Sequence, residues 1–167
     1  QHGPVKTLLI VYHSMTGGTL QMAQAAIEGT VAEPALNTRL LHAPDASPDD
    51  VLAADGYIFA TPENLGSMSG LLKDFFDRTY YAALDRVNGR PYATLICAGS
   101  DGSGAARQIA RIATGWRLKP VAEPLIVCTH AQTPEAILQP KIIATPELAQ
   151  CAELGTALAT GIALGVF

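Results

Sequence analysis

Between Val5 and Cys128 the chain repeats one pattern: a short apolar run, a loop, then apolar residues at helical spacing. Val5 to Tyr12 (VKTLLIVY) opens the series. A largely apolar, β-branched run of this kind suits a strand covered on both faces, as in a parallel sheet. Gly17 to Glu33 follows, with Leu20, Ala23, Ile27 and Val31 at helical spacing and Pro34 closing it. Thr38 to His42 and Asp55 to Thr61 read as the second and third strands. Leu71, Leu72, Phe75, Phe76, Thr79 and Tyr80 fall on the i, i+4 rows of a second helix. Tyr92 to Ala98 reads as strand four, Gly104 to Thr114 as a small-residue helix, and Val121 to Cys128 as strand five. Pro124 removes a ladder donor from that last strand, which fits a sheet edge. Leu148, Cys151, Gly155, Leu158 and Ile162 mark a final helix. Thr129 to Ala144, with Pro134 and Pro140, stays open between an excursion and a short helix.

Five strands alternating with helices in 167 residues describe one domain, 1–167, built as a three-layer α/β sandwich on a parallel sheet. Ligands of such sheets bind outside the carboxyl ends of the strands, at the switch point of strand order. The loops after strands one, three and four are therefore the places to look for function.

Composition narrows the classes. Apolar residues make up 49% of the chain and charged residues 16%, so it buries enough surface to order itself. Eleven basic against fifteen acidic residues give 11 − 15 = −4, with the basic ones scattered, which argues against a nucleic-acid surface. Cys97, Cys128 and Cys151 form no CxxC pair and no zinc set, so a reducing, cytoplasmic setting is expected. His42 and His130 have no partners at ligand spacing, and no metal is expected. Gln1-His2-Gly3-Pro4 lacks the pattern of a signal peptide. Leu154 to Phe167 is uncharged but too short for a membrane span, and Gly155, Gly161 and Gly165 interrupt it. It reads as buried against the fold or a partner subunit, so a homodimer or homotetramer is expected.

The first loop is His13-Ser14-Met15-Thr16-Gly17-Gly18-Thr19 at the start of a helix. Hydroxyls, glycines and a helix N-terminus make a neutral anion cradle, suited to one terminal phosphate. The P-loop lysine and the GxGxxG fingerprint are both missing, which excludes those nucleotide modes. A plain Ser/Thr cap with a glycine turn accounts for the loop equally well. The second loop, Thr61-Pro62-Glu63-Asn64-Leu65-Gly66-Ser67-Met68-Ser69-Gly70, mixes groups that suit a planar heterocycle. Leu65 and Met68 offer apolar packing; Asn64 and backbone amides offer edge hydrogen bonds. Ser67 or Ser69 as a helix cap is the plainer reading. Glu63 reads either as a ligand contact or as a solvated charge. The third loop, Ala98-Gly99-Ser100-Asp101-Gly102-Ser103-Gly104, has the glycine content for close backbone approach or for a flexible surface loop. His13 reads as a strand-end histidine, and Phe75, Phe76 and Tyr80 as core.

Together these loops resemble the flavodoxin-like FMN family, in its NAD(P)H-dependent FMN reductase and quinone reductase branch. Ser14-Met15-Thr16-Gly17-Gly18-Thr19 resembles its phosphate loop. Pro62-Glu63-Asn64-Leu65-Gly66-Ser67-Met68-Ser69-Gly70 followed by Lys73-Asp74-Phe75-Phe76-Asp77-Arg78 resembles its isoalloxazine loop and downstream F-x-D-R. Ala98-Gly99-Ser100-Asp101-Gly102 stands where its third flavin loop lies. The resemblance implies a five-stranded sheet in order 2-1-3-4-5. It also implies non-covalent FMN with its phosphate on residues 14 to 19 and its ring between 62–68 and 98–102. The implied activity is hydride transfer from NAD(P)H through flavin to a quinone, flavin or similar small acceptor. The alternative is an electron carrier or FMN-binding module without NAD(P)H activity. No catalytic side chain is assigned. Family members often stack an aromatic ring on the flavin; residues 62–70 and 98–104 contain none, which leaves Tyr12, Tyr80, Tyr81, Trp116 or a partner subunit.

Overall fold

The structure, a computed structural model, describes residues 5–167. The signal-peptide expectation rests on Gln1 to Pro4 and lies outside the described residues. The elements run β1 (Lys6–Tyr12), α1 (Gly18–Thr30), β2 (Leu36–His42), α2 (Pro48–Ala53), β3 (Gly56–Asn64), β4 (Ser67–Met68) and α3 (Gly70–Ala83). They continue β5 (Pro91–Ala98), α4 (Ser103–Gly115), β6 (Lys119–Pro120), β7 (Leu125–Cys128), α5 (Pro134–Leu138) and α6 (Thr145–Leu164).

The sheet order is β2-β1-β3-β5-β6, with β7 also on β5, and all of these pairs are parallel. β6 and β7 are two halves of one edge position, so the order is the expected 2-1-3-4-5. The expected single strand over Val121 to Cys128 is corrected. Val121–Pro124 bulges out where β5 has only Ala93 and Thr94, because Tyr92 pairs with Pro120 and Leu95 with Leu125. Pro124 lacks a ladder donor and falls within this detour.

The uninterrupted apolarity of β1 has a geometric reason. Leu9 and Val11 face a core with Phe59, Phe75, Phe76 and Trp116, under α3 and α4. Leu8 and Ile10 face the other core, with Met22, Ala26, Leu158 and Ile162, under α1 and α6. The uncharged C-terminal segment thus packs largely within its own chain: α6 lies against α1, with Gly155 on the Ala26 carbonyl and Thr156 Oγ1 donating to Gly29 O at 2.8 Å. No described helix is long and apolar enough to cross a membrane.

Two short elements escape the hydrophobic pattern. The six-residue α2 is started by a capping box, in which Ser47 Oγ accepts the Asp50 N–H and the Asp50 carboxylate accepts the Ser47 N–H. Burial works upward on the Asp50 carboxyl, but the Ser47 bonds and Arg39 outweigh it and hold it below its ordinary value. Arg90 Nη1 closes the other end of α2, donating to Leu52 O at 2.8 Å and Ala54 O at 2.6 Å. β4 forms a hairpin with the end of β3, pairing Glu63 with Met68 and Asn64 with Ser67.

Candidate functional site: a cleft at the carboxyl ends of β1, β3 and β5

A cleft of about 690 Å³ opens at the carboxyl edge of the sheet. It brings together Ser14, Met15, Thr16, Gly18 and Thr19 from the first loop; Pro62, Glu63, Asn64, Leu65 and Gly66 from the second; and Ala98, Gly99 and Ser100 from the third. Gly17, Met68, Asp101 and Gly102 stand off the lining. Met68 is 5% exposed and belongs to the core beneath α3 and α4. Asp101 is solvent-facing and binds Ser103, whose hydroxyl and amide hold its carboxyl below the ordinary value.

The first loop presents unpaired donors at a helix N-terminus. Ser14 Oγ accepts the Gly17 N–H at 3.1 Å and the Leu20 N–H at 3.3 Å, and Gly17 O accepts the Gln21 N–H. Those bonds leave the Gly18 and Thr19 amides as the free donors of the first helical turn. Thr19 is 1% exposed and lines the cleft, yet its Oγ1 has no hydrogen-bond partner. A buried unpaired hydroxyl costs about 1–3 kcal/mol, so its placement here points to a ligand oxygen.

The second loop is a two-residue hairpin turn, Asn64-Leu65-Gly66-Ser67. Leu65 (φ 53°) and Gly66 (φ 75°) both have positive φ, as a type I′ turn requires. Gly66 does this freely; Leu65 is strained by on the order of 1 kcal/mol and is fully exposed at the tip. The hairpin is fastened to α4. Glu63 Oε1 accepts the Gly102 N–H at 2.8 Å and Oε2 the Ala105 N–H at 3.1 Å. Gln108 Oε1 accepts the Met68 N–H at 2.9 Å, and its amide donates to Ser67 Oγ. Glu63 thus lines the cleft while its two carboxylate oxygens lock the second loop to the third. Ser69, not Ser67, caps α3 through the Leu72 N–H, and its own amide donates to Thr61 Oγ1 at 3.0 Å.

The segment 129–144 forms the remaining wall through Thr129, Ala131, Gln132, Ile137 and Lys141. It contains α5, which resolves the choice left open between excursion and short helix. The His130 N–H donates to Gly99 O at 2.8 Å, tying this wall to the third loop. Cys97 completes the floor; burial pushes its thiol up, so it stands as a neutral group rather than a thiolate. Lys141 was missed by sequence reasoning. Its signal was a single lysine in the long connection leaving the carboxyl end of the last strand.

Among the described residues no aromatic side chain lines the cleft. Trp116 is core, stacked on Tyr80; Tyr81 is exposed; Tyr12 stands beside His42. His13 packs against His42 with Nδ1 buried and unpaired; burial, then the neighbouring His42, lower its pKa. Among the described residues no cluster of three metal-ligating side chains occurs.

Fold and cleft together define a flavodoxin-like α/β protein with a cleft at its switch-point loops. A profile of the family described as NADPH-dependent FMN reductase matches residues 13–132, and the chain belongs to that family. It is 32% identical over 97 residues to a flavodoxin of Aquifex aeolicus, covering 58% of this chain and 52% of that one. It is 38% identical over 92 residues to an NAD(P)H dehydrogenase (quinone) of Acidithiobacillus ferrooxidans, covering 43% and 46%. The chain thus spans about half the length of these curated relatives. A solved flavodoxin from the domain Archaea superposes with a TM-score of 0.75 at 19% identity, over 93% of this chain and 98% of that one, which establishes the fold. Family membership implies FMN as cofactor.

Proposed function

We propose that the chain binds FMN in this cleft and acts as an NAD(P)H-dependent oxidoreductase that delivers electrons to a quinone, a flavin or a similar small acceptor. The observation that carries the reading is the Thr19 hydroxyl, buried and unpaired in a glycine-bearing loop at a helix N-terminus. Together with the Gly18 and Thr19 amides it suits a phosphate monoester.

When bound, FMN supplies the hydride and electron-transfer chemistry. The chain's own part is positioning. Residues 14 to 19 take the phosphate, while Pro62, Asn64, Leu65 and Gly66 meet one side of the ring and Ala98 to Ser100 the other. Glu63 and Gln108 hold the hairpin in place before any ligand arrives, which reduces the ordering cost of binding. Leu65 and Met15 stand in for an aromatic stacking group. No lining side chain is assigned a catalytic role.

A cytoplasmic, reducing setting belongs to the same reading and is supported by the three free cysteines. So does a single domain over 1–167. Assembly as a homodimer or homotetramer is supported by the exposed apolar groups Leu164, Val166 and Phe167 at the end of the uncharged C-terminal segment. A monomeric mass in light scattering at micromolar protein overturns the assembly.

The test is anaerobic. Protein is mixed with FMN, freed of excess, and its visible spectrum followed on adding NADPH and then NADH. Retained flavin that bleaches within seconds supports the reading. Retained flavin that stays oxidised overturns the NAD(P)H step and favours a carrier role, the reading that the Aquifex flavodoxin supports. Failure to retain flavin overturns the cofactor assignment.

A further inference from the structure

We propose that Lys141 is the phosphate-selectivity residue of this cleft, the group that makes the chain prefer a flavin with a terminal phosphate over one without; the inference rests on the flavin reading above.

The backbone of Lys141 is fastened to the anion cradle independently of its side chain. Its N–H donates to Thr16 O at 2.8 Å. Its carbonyl accepts from Gln21 Nε2 at 2.6 Å, and the same amide nitrogen donates to Gly17 O at 3.0 Å. Gln21 Oε1 accepts the Ile143 N–H at 3.0 Å. Gln21 thereby clamps the cradle and residues 141–143 into one unit, and the lysine stem lies against Gly18.

The ammonium is held at that cradle by neutral oxygens alone. Nζ lies 2.9 Å from Ala136 O, 2.8 Å from Ile137 O, 2.7 Å from Gln139 O and 3.4 Å from Thr16 Oγ1. An ammonium has three N–H donors, so these four acceptors compete for them. Among the described residues Lys141 joins no ion pair. Among the described residues it is the one cation lining the cleft, and the one lining carboxylate, Glu63, accepts from Gly102 and Ala105. An ammonium without an ion partner among the described residues therefore lines the same cleft as the free amides and the unpaired Thr19 hydroxyl, 3.4 Å from Thr16 Oγ1. A phosphate oxygen that displaces the long Thr16 contact exchanges an ammonium–hydroxyl bond of 3.4 Å for one between opposite charges.

Binding separates this role from that of a helix cap for α5. The apoprotein is titrated with FMN and with riboflavin, following flavin fluorescence, at low and high salt. The expected result is FMN bound at least about tenfold more tightly than riboflavin, with the gap narrowing as salt rises. In Lys141→Met the FMN affinity falls at least about tenfold, riboflavin affinity stays within about twofold, and Lys141→Arg restores the preference. Equal losses for both flavins, or no loss, overturn the proposal and leave Lys141 a structural cap. Equal affinity of the unaltered protein for both flavins also overturns it, while the flavin reading survives. Inorganic phosphate is the third probe, read as amide shifts of Gly18 and Thr19 by NMR. Protein that binds neither flavin but shows phosphate shifts that Lys141→Met abolishes overturns the flavin reading and the flavin preference with it, and supports only the phosphate contact of Lys141. Absence of both flavin binding and phosphate shifts overturns both.

Discussion

Gly104 lies against the carbonyl of Gly66 so closely that a Cβ at position 104 would drive into it. The tip of the hairpin is seated directly on the first turn of α4. In Gly104→Ala the hairpin or the helix must shift, at about 1–3 kcal/mol of stability. Thermal or urea unfolding of the apoprotein reads the cost. FMN affinity falls with it, because the displaced hairpin carries Asn64 and Leu65.

Thr19→Val removes the unpaired hydroxyl and keeps the shape. The apoprotein should hold or gain stability, by up to about 1 kcal/mol, since no hydrogen bond is lost and a buried polar group disappears. FMN affinity should fall about tenfold. Opposite signs in unfolding and in titration identify a group placed for ligand rather than for fold.

Leu65→Asn tests the strained turn. Asn adopts left-handed backbone more readily than Leu, so stability should rise by about 0.5–1 kcal/mol. If Leu65 covers the flavin ring, binding weakens in the same variant. A flavin titration beside a urea melt measures both.

Glu63→Gln keeps the shape of the bridge but sets an amide N–H where the carboxylate accepted from Gly102 or Ala105. Loss of one of these two bonds should cost about 1–3 kcal/mol. Faster amide exchange at Gly102 or Ala105 than in the unaltered protein is the readout.

His13 gives a pH dependence of known sign. Burial, assisted by His42, holds its folded-state pKa below the ordinary histidine value, so the unfolded chain binds the proton more readily. The stability it contributes is present above that ordinary value, about 6.5, and is lost as pH falls from there through the folded pKa. In His13→Asn the drop in unfolding free energy between neutral and mildly acidic pH should be smaller than in the unaltered protein.

The parts that were legible in the sequence are those that bury a face. Leu8 to Val11 show no alternation because both sides of β1 are covered, and Leu72, Phe75 and Phe76 fall at helical spacing because one side of α3 is. α2 was not legible as a period, since its six residues are too few to show one, although its start, Ser47-Pro48-Asp49-Asp50, carries the capping signature. β3 was expected to stop at Thr61 because Pro62, Glu63 and Asn64 are poor strand formers; the hairpin with β4 carries it on to Asn64. Within the site, the local sequence displayed the first-loop hydroxyls and glycines. It concealed what tertiary contact decides: Met68 turned into the core, Glu63 claimed by backbone amides, and Lys141 brought across from a distant segment.

The clamp between Gln21 and residues 141–143 has a consequence in time. Its bonds join positions 120 and 122 apart in sequence, so they are among the last contacts whose loop-closure cost can be met. During synthesis the first glycine turn and its helix emerge long before the lysine exists. The sheet can begin to assemble while the anion site is still a half-site. On the proposed reading, full affinity for phosphate is acquired only once residues 141–143 have docked on Gln21.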